Sequence, residues 1–380
     1  LYFDYATAFP SSPRAVAAIQ PFLQGFWANP WAPHRKGQDV AQQLNFLYQK
    51  MRQLLLIRDT DRTVITSSSA EAISQVLFSV YRDVTMKTGK NHFLYPATAE
   101  ASILKGIKGL ESFGCIGKTI PVHSTGYITT DRLIEAISPR TALVALSMAN
   151  GLTGVKQPLE EVVAICRQRG ILVYTETTPI FGKQTWELPP TDFWSLDGRV
   201  LGNPLGGGLL VAAQHVPLAP LIFGGQEPLQ IRGGAPSLSI IAGLIAALED
   251  ALDGVDWILT ETARIKAQFE ENLLNKIPGA AVCLGEEERI PNCTGILFPG
   301  VVGEALYFLL QRKGIAVSMG GGGFQQLSLL LQACGIETQR AQSALSFSFS
   351  KESREEDVRV LEEEVVAAYY HLRRIGGGDG

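Results

Sequence analysis

Five short apolar or β-branched runs, at residues 63–66, 92–95, 142–146, 171–175 and 208–212, alternate with amphipathic stretches of helical period at 70–82, 102–110, 130–136 and 159–169. This alternation constrains the chain more than any other feature. A strand that returns parallel to its neighbour needs a crossover, usually a helix, and helices then cover both faces of the sheet. The runs have strand length and few polar residues, as burial on two faces requires. Pro158 opens the last helical stretch and Gly170 closes it, the asymmetry expected of helix ends.

From about residue 260 the texture changes. A helical stretch at 260–275 leads into short runs at 280–284 and 294–298, then a helix at 304–312. Strand-length runs at 315–318 and 344–348 follow, with a long amphipathic helix at 354–374. The expected fold is α/β: a large domain with a mostly parallel sheet over 14–257, and a smaller α+β domain built from 1–13 and 258–380. With 380 residues, 46% of them hydrophobic, the chain can bury two cores.

The charge balance, 33 basic against 37 acidic residues, gives no global attraction to nucleic acid or an anionic membrane. The longest apolar stretch, 238–248, is far short of the roughly 20 residues that span a bilayer. The opening Leu1-Tyr-Phe-Asp-Tyr has neither a basic nor an apolar leader region. Cys115, Cys166, Cys283, Cys293 and Cys334 are odd in number and form no C-x-x-C pair, so a cytoplasmic protein without disulfides is expected. The five histidines lack ligand spacing, and no metal site is expected.

Several segments look chemical. Gly114-Cys-Ile-Gly-Lys-Thr119 is not a phosphate loop, because Ser112 stands where the first glycine is required. Thr66-Ser-Ser-Ser-Ala-Glu71 follows a strand and opens a helix, so Ser69 is either an N-cap or part of an anion site at the positive helix end. The four glycines at 320–323 make either a plain linker or a loop that is mobile or closely approached by a ligand. In a doubly wound sheet ligands sit beyond the carboxyl ends of the strands, which places Ser69, Ala70, Glu100, Asn150 and Glu176 on one rim.

In this order the segments resemble the NifS/IscS cysteine desulfurases, within the class V aminotransferases of the fold-type I pyridoxal phosphate (PLP) enzymes. Tyr2-Phe-Asp4 with Ala6-Thr7 is similar to the family's Y-L-D-N-A-A-T-T, and Asn29-Pro30 with His34 and Gly37 to its G-N-P-S-S-x-H-x-x-G. Asn150, Gly154, Gln157-Pro158, Gly182-Lys183, Gly224-Gly-Gln-Glu227, Arg232-Gly-Gly234 and Gly314-Ile-Ala-Val-Ser318 fall at the family spacing.

The departures fall on the chemistry that the resemblance implies. Val200 stands in place of the Schiff-base lysine of S-x-H-K, and Arg199 in place of the preceding histidine. Glu176 replaces the aspartate that holds the pyridinium nitrogen, and Glu100 the histidine that stacks on the ring. The phosphate-cup threonine becomes Ala70, and the threonine contributed by a partner subunit becomes Ala235. The persulfide-forming cysteine falls on Gly323, and the arginine that grips the substrate carboxylate on Ser346. Asn150 alone is retained among the ring contacts.

Joint loss of base, nucleophile and clamp implies a degenerate family member with no catalytic residues, no covalent PLP, and a binding or regulatory role. Weak non-covalent PLP remains open. The alternatives are a PLP-independent enzyme using Glu100, Glu176 and Arg199 in the old pocket, or an active desulfurase or aminotransferase. The resemblance further implies a homodimer, with an active desulfurase or an iron–sulfur assembly protein as a further partner. Arg199 is expected to pair with Glu100 and Glu176 inside the vacated pocket.

Overall fold

Seven strands form one sheet: β1 (Arg62–Thr66), β2 (His92–Pro96), β3 (Ile116–Ile120), β4 (Thr141–Ser147), β5 (Leu172–Glu176), β6 (Phe193–Asp197) and β7 (Gly208–Ala212). Their spatial order is β1-β7-β6-β5-β4-β2-β3, and all run parallel except β7. The computed structural model describes residues 1–187, 189–224 and 231–376, so positions 225–227 of the Gly224–Glu227 motif lie outside the described residues.

Period-two alternation assigns the two faces of this sheet. Leu209 and Val211 join Leu44, Met51, Ile241 and Leu248 in one core, while Leu210 and Ala212 join Ile73, Val76 and Ile103 in the other. The first core is built by the helices Arg35–Leu54 and Leu238–Asp253, the latter containing the long apolar stretch of the sequence. Each fully buried leucine or isoleucine here is worth roughly 1.5–3 kcal/mol.

Two strands have no counterpart among the five expected. β3 is an edge strand that is mostly half-buried or exposed, so it carries no apolar run. β6 ends on Ser195-Leu-Asp197, and its polar residues interrupt the pattern although four of its five residues are buried.

A second sheet, antiparallel, contains β8 (Ala281–Val282), β9 (Cys293–Leu297) and β10 (Ala344–Ser348) in the order β10-β9-β8. The N-terminus reaches it through the bridge Asp4↔Ser348 and also bridges Tyr2↔Ala316, and Phe3 enters a core with Phe269, Phe298, Phe347 and Phe349. The run at 315–318, expected as a strand, contributes only isolated bridges to residues 2 and 346. Among the described residues no helix is long and apolar enough to cross a membrane.

Candidate functional site

Strand register lines up the site before any loop is considered. Ser147 is opposite Glu176, and Glu176 opposite Ser195, across β4, β5 and β6. One step further, Asp197 is opposite Gly208, which is opposite Thr66. A Cβ on Gly208 would lie 2.6 Å from Thr66 Oγ1 and 2.7 Å from the Ser68 carbonyl carbon, so the close approach of β7 to the loop after β1 requires glycine.

Glu176 is 2% exposed and points into the protein wall. Its Oε1 accepts from Thr178 N at 2.9 Å and from the Thr178 hydroxyl. Its Oε2 accepts from Ser195 Oγ at 2.5 Å and from Tyr174 OH at 3.3 Å, and those two hydroxyls lie 2.7 Å apart. Burial pushes the carboxyl up to about 7 in spite of these donors.

Glu100 is 8% exposed and immediately precedes the helix Ala101–Leu110. Burial, then the neighbouring Glu176 charge, pushes its carboxyl up to about 8. Ser147 opposes that rise from nearby, yet neither Glu100 Oε1 nor Ser147 Oγ, both buried, makes a well-formed hydrogen bond among the described residues. Two carboxyls this close in a dry site do not both ionise easily, so the pair holds a proton near neutrality.

Asn150 is engaged by its own turn. Its Oδ1 accepts from Leu152 N at 3.0 Å and Thr153 N at 3.1 Å, while Nδ2 donates to Thr98 O at 3.3 Å. The retained asparagine thus holds the loop after β4.

At the start of the helix Ser69–Val80, the cap position is Ser68, without a side-chain cap bond, and not Ser69. Asp197 supplies the acceptor instead: its Oδ2 lies 3.1 Å from Ser69 N and 3.5 Å from Ser69 Oγ. A carboxylate of the protein therefore sits at the positive helix end, where an anion would otherwise be held. Ala70 and Ala235 are both exposed. Arg232, in the Arg232-Gly-Gly234 segment, pairs with Glu71 at 2.7 Å.

Arg199 does not join Glu100 and Glu176. It is exposed, makes no ion pair among the described residues, and reaches the site only through its backbone N–H, which donates to Asp197 Oδ1 at 3.0 Å. The expectation of an internal Arg199 pair is thereby corrected, and the reason is local. Residues Arg199–Leu201 form one 3₁₀ turn, in which successive side chains point about 120° apart. Val200 faces a cavity of about 60 Å³ while Arg199 faces water. Lys183 lines the same cavity.

The glycine loop is fastened over the site. Gly320, Gly321 and Gly322 are left-handed, with φ of 82°, 95° and 62°, a conformation that favours glycine. The Gly323 carbonyl accepts from Ala101 N at 3.0 Å, and Gln325 Nε2 donates to Ala97 O and Ala99 O, both at 2.8 Å. The Phe324 ring packs on Gly151, where an added Cβ would lie 2.5 Å from it. Behind the loop, Ser346 Oγ donates to Leu152 O at 2.8 Å. All five cysteines are buried and free. Burial pushes the Cys166, Cys283 and Cys334 thiols up to about 12 and the Cys293 thiol up to about 11.

The structure thus brings together Glu100, Asn150 and Glu176, and ties Ser69 to Asp197 beside them. It fastens Gly323 to Ala101 and Ser346 to Leu152, and puts Val200 on the wall of the cavity of about 60 Å³. Sequence reasoning missed Asp197, Ser147, Tyr174, Ser195 and Lys183. Asp197 was legible, because it occupies the serine position of the S-x-H-K segment. Among the described residues, no group of three or more His, Cys, Asp or Glu side chains is arranged to hold a metal ion.

The aminotransferase class-V family model matches residues 1–361. A cysteine desulfurase of Gluconacetobacter diazotrophicus is 30% identical over 369 residues, covering 95% of this chain and 92% of the relative. A cysteine desulfurase of Nostoc sp. is 27% identical over 368 residues, covering 95% and 91%. A solved NifS-like protein superposes with a TM-score of 0.89 at 25% identity, covering 98% of this chain and all of the other. The apo structure of a cysteine desulfurase from Thermococcus onnurineus, at 15% identity and a TM-score of 0.83, shares the fold. With a match along nearly its whole length and the same seven-stranded sheet under the site, the chain belongs to the class-V aminotransferase family, in its NifS-like, cysteine desulfurase-like branch.

Proposed function

We propose that this chain is a cysteine desulfurase relative that has given up the covalent cofactor and sulfur chemistry and acts by binding. The residues present do not fit pyridoxal phosphate. The observation that carries this is Asp197: its carboxylate, hydrogen-bonded to Ser69 N, would repel a phosphate at the start of the helix Ser69–Val80. Val200 offers no amine, and Glu176 spends both carboxyl oxygens on Thr178, Ser195 and Tyr174. Position 323 offers no thiol, and the buried cysteines stay protonated at neutral pH.

The test is direct. The protein incubated with PLP should show no visible aldimine band, borohydride should fix no pyridoxyl group at the pocket, and cysteine should release no sulfide. A visible band together with sulfide release would make this an active desulfurase, as the names of its relatives suggest. One observation favours a second reading, a PLP-independent enzyme. Glu100 and Glu176 are held near 8 and 7, the range in which an acid–base pair works.

The chain is further proposed to be a homodimer in the cytoplasm, with an active desulfurase or an iron–sulfur assembly protein as an alternative partner. A groove of about 300 Å³ lined by Trp31, Leu44, Tyr48, Ile231 and Pro236 lies near exposed Ile222 and Phe223. Apolar surface of this kind is what a second copy would cover. Light scattering should give twice the 41.2 kDa of one chain, and a mass of one chain at micromolar concentration would refute it.

A further inference from the structure

Lys183 follows β5 on a turn that presses against the helix Leu238–Asp253. A Cβ on its neighbour Gly182 would stand 2.8 Å from Ala251 Cβ. The Lys183 side chain lines the cavity of about 60 Å³ together with Tyr5, Phe9, Phe181, Val200 and Phe349. The only other lysine on that wall, Lys351, is paired with Asp250 at 2.7 Å. Lys183 has no such partner: among the described residues it donates to the Pro179 carbonyl at 2.9 Å and meets no carboxylate at ion-pair distance. A half-buried ammonium with one neutral acceptor is poorly compensated, and losing its proton is the inexpensive way out.

We propose that Lys183 is an amine site that condenses reversibly with a small uncharged aldehyde held in this cavity. Tyr5, Phe9, Phe181, Val200 and Phe349 give apolar walls, and the volume limits the ligand to a few carbons. The mostly apolar walls suit an uncharged aldehyde better than one that must leave a charge poorly solvated. In the step, the Nζ lone pair adds to the carbonyl carbon and the carbonyl π pair moves to oxygen. Nitrogen passes a proton to that oxygen, which leaves with a second proton as water, and a carbon–nitrogen double bond remains. One amine and one aldehyde give one imine and one water, with no oxidant or reductant. Burial, opposed in part by the neighbouring Cys293 and Glu100, lowers the ammonium to about 8. About one amine in ten is then neutral at pH 7, against roughly one in several thousand for an ordinary lysine.

The proposal goes beyond the binding role above and does not require it. Wild-type protein is incubated with butanal and sodium borohydride at pH 7, digested, and the modified lysines are located and timed by mass spectrometry. Lys183 should be alkylated at least tenfold faster than half-buried Lys50 and exposed Lys87, both ion-paired. Val200→Phe, which fills the cavity, should slow Lys183 at least tenfold and leave Lys50 unchanged; Val200→Leu, a smaller intrusion, should act in the same direction. Lys183 reacting no faster than Lys50, or indifferently to both Val200 variants, would overturn the assignment. Pyridoxal phosphate in place of butanal should leave Lys183 unlabelled, and labelling of Lys183 by it would overturn the uncharged ligand class. Sulfide release from cysteine by the wild type would refute the binding role alone, so the two failures are separable.

Discussion

Glu100→Gln should stabilise the protein at neutral pH, and the gain should fade in acid. Glu100 is buried, its Oε1 lacks a partner, and its carboxyl is raised from 4.5 to about 8 by burial and by Glu176. Between those values the folded chain holds a proton that the unfolded chain has released. Stability is therefore greatest below pH 4.5 and is lost as the pH rises towards 8, at about 1.4 kcal/mol per unit for a single group. From about pH 5.5 to 7.5 that amounts to roughly 3 kcal/mol. Glu176, raised to about 7, titrates in the same field, so the share specific to Glu100 is about 1–2 kcal/mol. Asp197 and Lys183 also act on Glu100, with opposite signs, and remain in the variant.

Glutamine keeps the shape and removes the titration. A chain of 380 residues unfolds with an entropy near 0.8 kcal/mol/K, so the variant should melt about 1–3 °C above wild type at pH 7.5. At about pH 5.5 the difference should shrink as the released proton is regained. Calorimetric scans of both proteins across this range are the assay. Parallel melting curves, with one pH slope for both proteins, would show that Glu100 is solvated or partnered and would refute the buried proton-holding pair.

Val200→Lys alone should restore neither a visible band with PLP nor sulfide release, because Asp197, Glu100, Gly323 and Ser346 remain; turnover of cysteine by this variant would refute that. Asp197→Ala should cost about 1–2 kcal/mol in urea unfolding, the worth of a lost helix cap, and an unchanged midpoint would show that the Ser69 contact is idle. Arg199→Ala should lie within about 0.5 kcal/mol of wild type, since the side chain is exposed and unpaired among the described residues, whereas a clear drop in melting temperature would restore the internal pair. Phe324→Ala should destabilise by about 2–3 kcal/mol and speed proteolysis within 320–326; a loop cut no faster than in wild type would show that its anchoring does not depend on the ring.

Much of this protein is legible in its sequence, where the information is local. Alternating runs of 4–5 apolar residues and amphipathic stretches specify a covered parallel sheet, and five of its seven strands stand where that period places them. The departures from the family's ordered motifs, Val200, Gly323 and Ser346 among them, are visible without coordinates. What the groups now do was decided by tertiary structure. Glu100, Glu176 and Asp197 are far apart in the chain and share one rim because hydrogen bonding orders the strands β2, β4, β5 and β6. No periodicity encodes that order, since it depends on which strand edges meet. The same holds at the scale of one turn: a 3₁₀ geometry sends Val200 into a cavity and Arg199 into water. Lys183 meets Val200 across that cavity because a turn after β5 and a turn after β6 close on the same space.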